Sequence, residues 1–124
     1  MSCLKRKILV VDDEMDIIQT VSMFLELEGY EVATAMDGED ALNMVHLLSP
    51  DLVVLDMMLP VMNGDELVSI VKNDEKLKNI PVILITAFAQ KRNEEIMSNA
   101  GVDFYMKKPF ELDQLNNKIK ELLG

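Results

Sequence analysis

Residues 52–56, Leu-Val-Val-Leu-Asp, decide how this chain folds. An unbroken apolar run of this length, rich in valine, reads as a strand buried on both faces rather than one that alternates between core and solvent. Such a strand belongs inside a parallel sheet covered by helices on each side. The acid that closes it, Asp56, then falls at the carboxyl edge of that sheet. Two further stretches repeat the pattern. Lys7–Val11 (KILVV) runs into Asp12 and Asp13, and Pro81–Thr86 (PVILIT) ends on a hydroxyl. Glu31–Ala35 (EVATA), rich in small and β-branched residues, and the short Asp103–Met106 are further strand candidates.

Amphipathic stretches fill the intervals. Asp16–Glu28 places Ile17, Val21, Phe24 and Leu25 on one helical face, and Gly29 suits the position just after a helix. Gly38–Leu48 and Gly64–Asn73 read as the second and third helices. Lys91–Ala100 reads as the fourth, stopping at Gly101. Glu111–Leu123 carries Leu112, Leu115, Ile119 and Leu122 along one face as the fifth. Strand and helix alternate five times, which predicts an α/β fold with a five-stranded, doubly wound parallel sheet and five helices. Crossovers in such sheets are right-handed, and ligands bind beyond the carboxyl ends of the strands.

The chain has 124 residues, 49% of them apolar, enough for a single core without disulfides or metal staples. It carries no internal repeat and no linker, so residues 1–124 are expected to form one domain with no effector domain attached. Its formal net charge of -10 argues against direct binding to nucleic acid, which rewards clustered Lys and Arg. No apolar run approaches the roughly 18 residues that span a membrane. The N-terminus also lacks the apolar stretch of a signal peptide. Together with the lone Cys3, these features predict a soluble protein of a reducing cytoplasm.

The predicted topology gathers reactive side chains at one sheet edge. Asp12 and Asp13 close the first strand, Asp56 the third and Thr86 the fourth, while Lys107, Lys108 and Pro109 follow the fifth. Three converging carboxylates repel one another unless a cation joins them. A hard divalent ion such as Mg²⁺, which accepts a few carboxylates and keeps several waters, answers that need. Lys108 adds a positive charge suited to a phosphoryl oxygen, and Thr86 adds a donor hydroxyl. A carboxylate nucleophile, a metal and a cation are the parts needed to form an acyl phosphate on Asp56.

These residues resemble a response-regulator receiver domain, the phosphoacceptor half of two-component signalling. The resemblance runs from ILVVDDE at Ile8–Glu14 through VVLDMMLPVMNG at Val53–Gly64. It continues through ITA at Ile85–Ala87 to YMKKPF at Tyr105–Phe110. It implies a flavodoxin-like strand order of 2-1-3-4-5. It also implies phosphorylation of Asp56 by a phosphohistidine of a sensor kinase or phosphotransfer protein. Mg²⁺ would be held by Asp13, Asp12, Asp56 and the backbone carbonyl of Met58. Thr86 and Tyr105 would form the switch pair, Lys108 would pair with the phosphoryl group, and Pro109 would follow a cis peptide bond. Output would pass to a protein effector through the face made by the fourth helix, fifth strand and fifth helix. The domain would act as a monomer or as a weak homodimer on activation. It would be no enzyme beyond catalysing its own phosphorylation and dephosphorylation.

Three other readings stand beside this one. The chain could be the N-terminal receiver of a longer, transcriptional regulator. It could be an aspartyl-nucleophile phosphatase, although Met58 stands where such enzymes place a second Asp. It could be a flavin carrier, although DDEMD at residues 12–16 is electrostatically wrong for a bare phosphate. The receiver resemblance implies that Met58 and Phe88, both bulky and apolar, border the route of a hydrolytic water, which predicts a long-lived phosphoryl group, while the small Ala87 leaves room for the donor. The single histidine, His46, is expected on a solvent-facing helix with no role in phosphate relay. The ten methionines are read as core filling or chance rather than as a binding surface.

Overall fold

The structure is a computed structural model that describes residues 5–86 and 101–124. Five strands appear among them: β1 (Lys7–Val11), β2 (Glu31–Ala35), β3 (Leu52–Asp56), β4 (Val82–Thr86) and β5 (Phe104–Lys107). Four helices accompany them: α1 (Met15–Leu27), α2 (Gly38–Leu48), α3 (Gly64–Lys72) and α4 (Leu112–Leu123). Helix α4 is the fifth helix of the sequence reading. The helix expected over residues 91–100, together with Cys3, Ala87 and Phe88, lies outside the described residues.

All strands pair in parallel, in the order β2-β1-β3-β4-β5. The expected order is therefore observed. Strands β1, β3 and β4 occupy the centre and are buried along almost their whole length. Alternate side chains of each serve opposite layers, because successive residues in a strand point to opposite faces. Leu9, Val11, Val53, Leu55, Val82 and Leu84 pack against Ala41 and Val45 of α2 and Leu67, Val68 and Val71 of α3. Ile8, Val10, Leu52, Val54, Ile83 and Ile85 pack against Val21 and Leu25 of α1 and Leu115 and Ile119 of α4. Two apolar layers flank one sheet, which is the doubly wound arrangement.

The edges differ from the centre. β2 and β5 each pair on one side only; β2 is partly exposed and β5 mostly so, and their residues are mixed rather than uniformly apolar. The core face of α1 is centred on Ile18, Val21 and Leu25, with Ile17 and Phe24 only half-buried. The expected face was thus rotated by one residue at its start: Ile17 and Ile18 are adjacent, and periodicity alone does not choose between them. His46 is exposed, as expected for a solvent-facing helix. The methionines divide: Met57 and Met106 are buried, whereas Met15, Met23, Met36 and Met58 are exposed.

Candidate phosphoacceptor site

The parallel register delivers the candidate residues to one edge. Val11 pairs with Leu55, so Asp12 follows β1 level with Asp56 at the end of β3. Asp56 in turn pairs with Ile85, one residue before Thr86. The result is a cluster in which carboxylate oxygens of Asp12, Asp13 and Asp56 all lie within 4.8 Å of one another. Asp12 and Asp56 are buried, at 1% and 5% exposure, while Asp13 faces solvent. A buried carboxylate needs partners. The backbone N–H of Glu14 donates to Asp12 Oδ1 at 2.9 Å, and that of Met58 donates to Asp56 Oδ1 at 3.2 Å.

Lys108 completes the electrostatics. Its Nζ donates to Asp12 Oδ2 at 3.1 Å and to Asp56 Oδ2 at 3.0 Å. Burial works against its charge, but the hydrogen bonds to Asp56 and Asp12 outweigh burial and hold the ammonium above the ordinary lysine range. The lysine is placed by its own backbone: Lys108 N–H donates to the Thr86 carbonyl at 2.8 Å, continuing the β4–β5 ladder. The peptide bond that follows, Lys108–Pro109, is cis, as the resemblance implied. Among the described residues one ammonium meets two of the three carboxylates, so the cluster as described keeps a surplus of negative charge.

Thr86 is buried, at 1% exposure, and Tyr105 is 37% exposed. The register pairs Leu84 with Tyr105 and Thr86 with Lys107. Thr86 and Tyr105 therefore share one face of the sheet, a single pleat apart. Tyr105 also lines a groove of about 500 Å³ between β5 and α4, together with Phe104, Pro109 and Phe110. Met58 is 57% exposed, so it is not packed into the core beside Asp56.

Two glycines that the sequence reading left without a role shape this edge. A Cβ on Gly64 would sit 2.6 Å from the Asp56 carbonyl oxygen and 2.9 Å from Met57 Cα. Gly64 N–H donates instead to the Met57 carbonyl at 2.8 Å, which closes the loop after Asp56. Gly38 at the start of α2 is just as confined, against Met62. The only signal for either was a glycine at the first position of a predicted helix, where it weakens the helix and needs another reason.

The sequence pattern of the response regulator receiver domain matches residues 8–120. The chain belongs to that family. It is 38% identical over 120 residues to the alkaline phosphatase synthesis transcriptional regulatory protein PhoP of Bacillus subtilis, covering 97% of this chain and 49% of PhoP. The chain thus spans about half the length of such regulators. It is 34% identical over 119 residues to the polar-differentiation response regulator DivK of Brucella ovis, covering 96% of this chain and 97% of DivK. The solved chemotaxis response regulator CheY4 of Vibrio cholerae superposes with a TM-score of 0.90 at 32% identity, over 97% of this chain and all of CheY4. This receiver domain has no helix, among the described residues, long and apolar enough to cross a membrane.

Proposed function

We propose that this receiver domain is a Mg²⁺-dependent phosphorylation switch with Asp56 as its phosphoacceptor. The observation that carries the reading is the unbalanced cluster: three carboxylates within 4.8 Å, two of them paired to Lys108, the one ammonium that meets them among the described residues. The donor set fits Mg²⁺. It is all oxygen, it converges, and it is open to water on the Asp13 side. Asp12, Asp13 and Asp56 would hold the ion, with the Met58 carbonyl as a further ligand by family resemblance. When bound, the ion neutralises the carboxylates and draws charge from the phosphoryl oxygens.

The chain's own groups account for the rest. A carboxylate oxygen of Asp56 attacks the phosphorus of a phosphohistidine on a sensor kinase or phosphotransfer protein. The P–N bond breaks, its electron pair returns to the imidazole nitrogen, and a P–O bond to Asp56 forms. Lys108, already 3.0 Å from Asp56, follows the new charge onto a phosphoryl oxygen. Thr86 donates its hydroxyl to another phosphoryl oxygen, and Tyr105, on the same face, responds to the space that this movement opens. The altered face of β5 and α4 then meets a protein effector. Phosphorylation only biases two pre-existing states. Catalysis is confined to the domain's own phosphorylation and dephosphorylation.

End-to-end likeness to DivK supports reading the receiver itself as the switch. It would act as a monomer or as a weak homodimer on activation. Half coverage of PhoP supports a second reading, a receiver that governs an attached transcriptional output. The decisive test of the chemistry is treatment with acetyl phosphate and Mg²⁺. A mass gain of one phosphoryl group, removed by hydroxylamine and absent in Asp56→Asn, is expected. An equal gain in Asp56→Asn would defeat the assignment.

A further inference from the structure

The loop that leaves Asp56 contains a backbone conformation that its sequence does not favour. Val61 has φ of 70°. Met62 N–H donates to the Pro60 carbonyl at 2.7 Å, two residues back. Together these make a three-residue γ-turn of the rare, strained kind, with a β-branched residue at its centre. Such a turn persists only where its surroundings over-determine it.

The surroundings are the first residue of α2. The first N–H groups of a helix have no partner inside the helix. Here Gly38 N–H donates to the Pro60 carbonyl at 3.3 Å, so α2 holds the turn from outside. Contact is close enough that a Cβ on Gly38 would collide with the Met62 carbonyl oxygen and Cβ. Backbone atoms cannot swing aside as a flexible side chain can. The loop is tied at its other positions by Met58 N–H to Asp56 Oδ1 and by Gly64 N–H to the Met57 carbonyl. These tethers fall at residues 57, 58, 60, 62 and 64, on both sides of the Met58 carbonyl within one short loop.

We infer that Gly38 is a positioning residue for the cation site: it seats the strained Val61 turn and so holds the Met58 segment in place for the metal. The inference rests on the Mg²⁺ reading given above. Outer-shell groups of this kind alter metal affinity without touching the metal. Pre-organisation by a strained turn works the same way, by removing loop freedom before binding.

The test measures Mn²⁺ binding by electron paramagnetic resonance and thermal unfolding on the same samples. Gly38→Ala is expected to weaken Mn²⁺ binding by about tenfold. Gly29→Ala is the control. Gly29 also has a positive φ of 100°, yet a Cβ there meets nothing within 4 Å. It should lower the unfolding temperature and leave Mn²⁺ affinity unchanged. Val61→Gly keeps the test open should Gly38→Ala fail to fold. Relaxing the turn should raise the unfolding temperature while weakening Mn²⁺ binding a few-fold, a pairing of opposite signs that a merely structural role would not give. Wild-type affinity in every folded variant would overturn the inference alone. A wild-type protein that binds no Mn²⁺ would overturn the metal reading and this inference together.

Discussion

Two lysines stand at opposite ends of the sheet, and they are satisfied in different ways. Lys72, at the end of α3, donates to Asp103 Oδ2 at 2.8 Å and to the carbonyls of Ile80 at 2.7 Å and Lys78 at 3.2 Å. Asp103 Oδ2 also accepts the Val82 N–H at 2.8 Å. One ammonium meets one carboxylate, and the remaining partners are neutral carbonyls. The clip joins α3, the start of β4 and the start of β5, and its charges balance. Lys108, at the carboxyl edge, meets Asp12 and Asp56 with Asp13 close by. There the carboxylates outnumber the cation. A balanced arrangement has reached its best state and serves the fold. An unbalanced one stays improvable by a further cation, and that is the property a metal-dependent switch needs.

The largest effect expected from this difference is stabilisation by Mg²⁺. At a concentration a hundredfold above its dissociation constant, the ion should add about 2.7 kcal/mol to unfolding. Urea titrations with Mg²⁺ and with EDTA measure it. Asp13→Asn should lose most of that response. In EDTA it should also be more stable than wild type, by up to about 1 kcal/mol, because an exposed like charge beside the cluster is gone. A Mg²⁺ response that survives in Asp13→Asn would break the comparison at this end.

Next in size is the balanced clip. Lys72→Met should cost about 2 kcal/mol: breaking a buried pair costs more, but the Asp103 side chain is 35% exposed and recovers some hydration. The response to Mg²⁺ should persist, since the clip lies at the far end of the sheet. Losing a charge thus destabilises one end, while losing a charge stabilises the metal-free state of the other. Equal signs in the two titrations would refute the distinction.

A smaller effect separates Lys108 by pH. Its folded pKa is raised above the ordinary 10.5 because the hydrogen bonds to Asp56 and Asp12 outweigh burial. Its contribution to stability is fully present below 10.5 and is lost as pH rises through the higher folded value. Wild type and Lys108→Met should therefore differ by a constant amount from neutral pH to about 10, in EDTA, and converge above that. Convergence already near neutrality would mean that Lys108 is not held by these carboxylates.

Much of this comparison could be read in the chain before any fold was built. LVVL, ILVV and VILI are apolar at every position, so β1, β3 and β4 had to be central. Whatever followed them had to share an edge. That placed Asp12, Asp13, Asp56, Thr86 and Lys108 together. What stayed hidden depends on contacts between distant residues that no period records. Lys72 and Asp103 are 31 residues apart and carry no pattern. Gly38 looked like a weak helix start until Met62 was set against it. Val61 is a residue that sequence reasoning would never place at positive φ, because the cost falls locally while the support comes from α2.

The smallest effect concerns Met58. From sequence, a bulky apolar residue two positions after Asp56 should shield an acyl phosphate from water. The residue is 57% exposed, so it is not packed into the protein. A residue in this position excludes water only by partial occupancy, unlike one packed in a core. Met58→Asn should therefore shorten the phosphoryl lifetime by less than about 100-fold, the lower end of what a positioned acid or base contributes. Loss of radiolabelled phosphoryl group over time measures it. A lifetime unchanged in Met58→Asn would show that Met58 offers no shielding. A collapse beyond that range would mean that Met58 folds down over Asp56 once the phosphoryl group is attached.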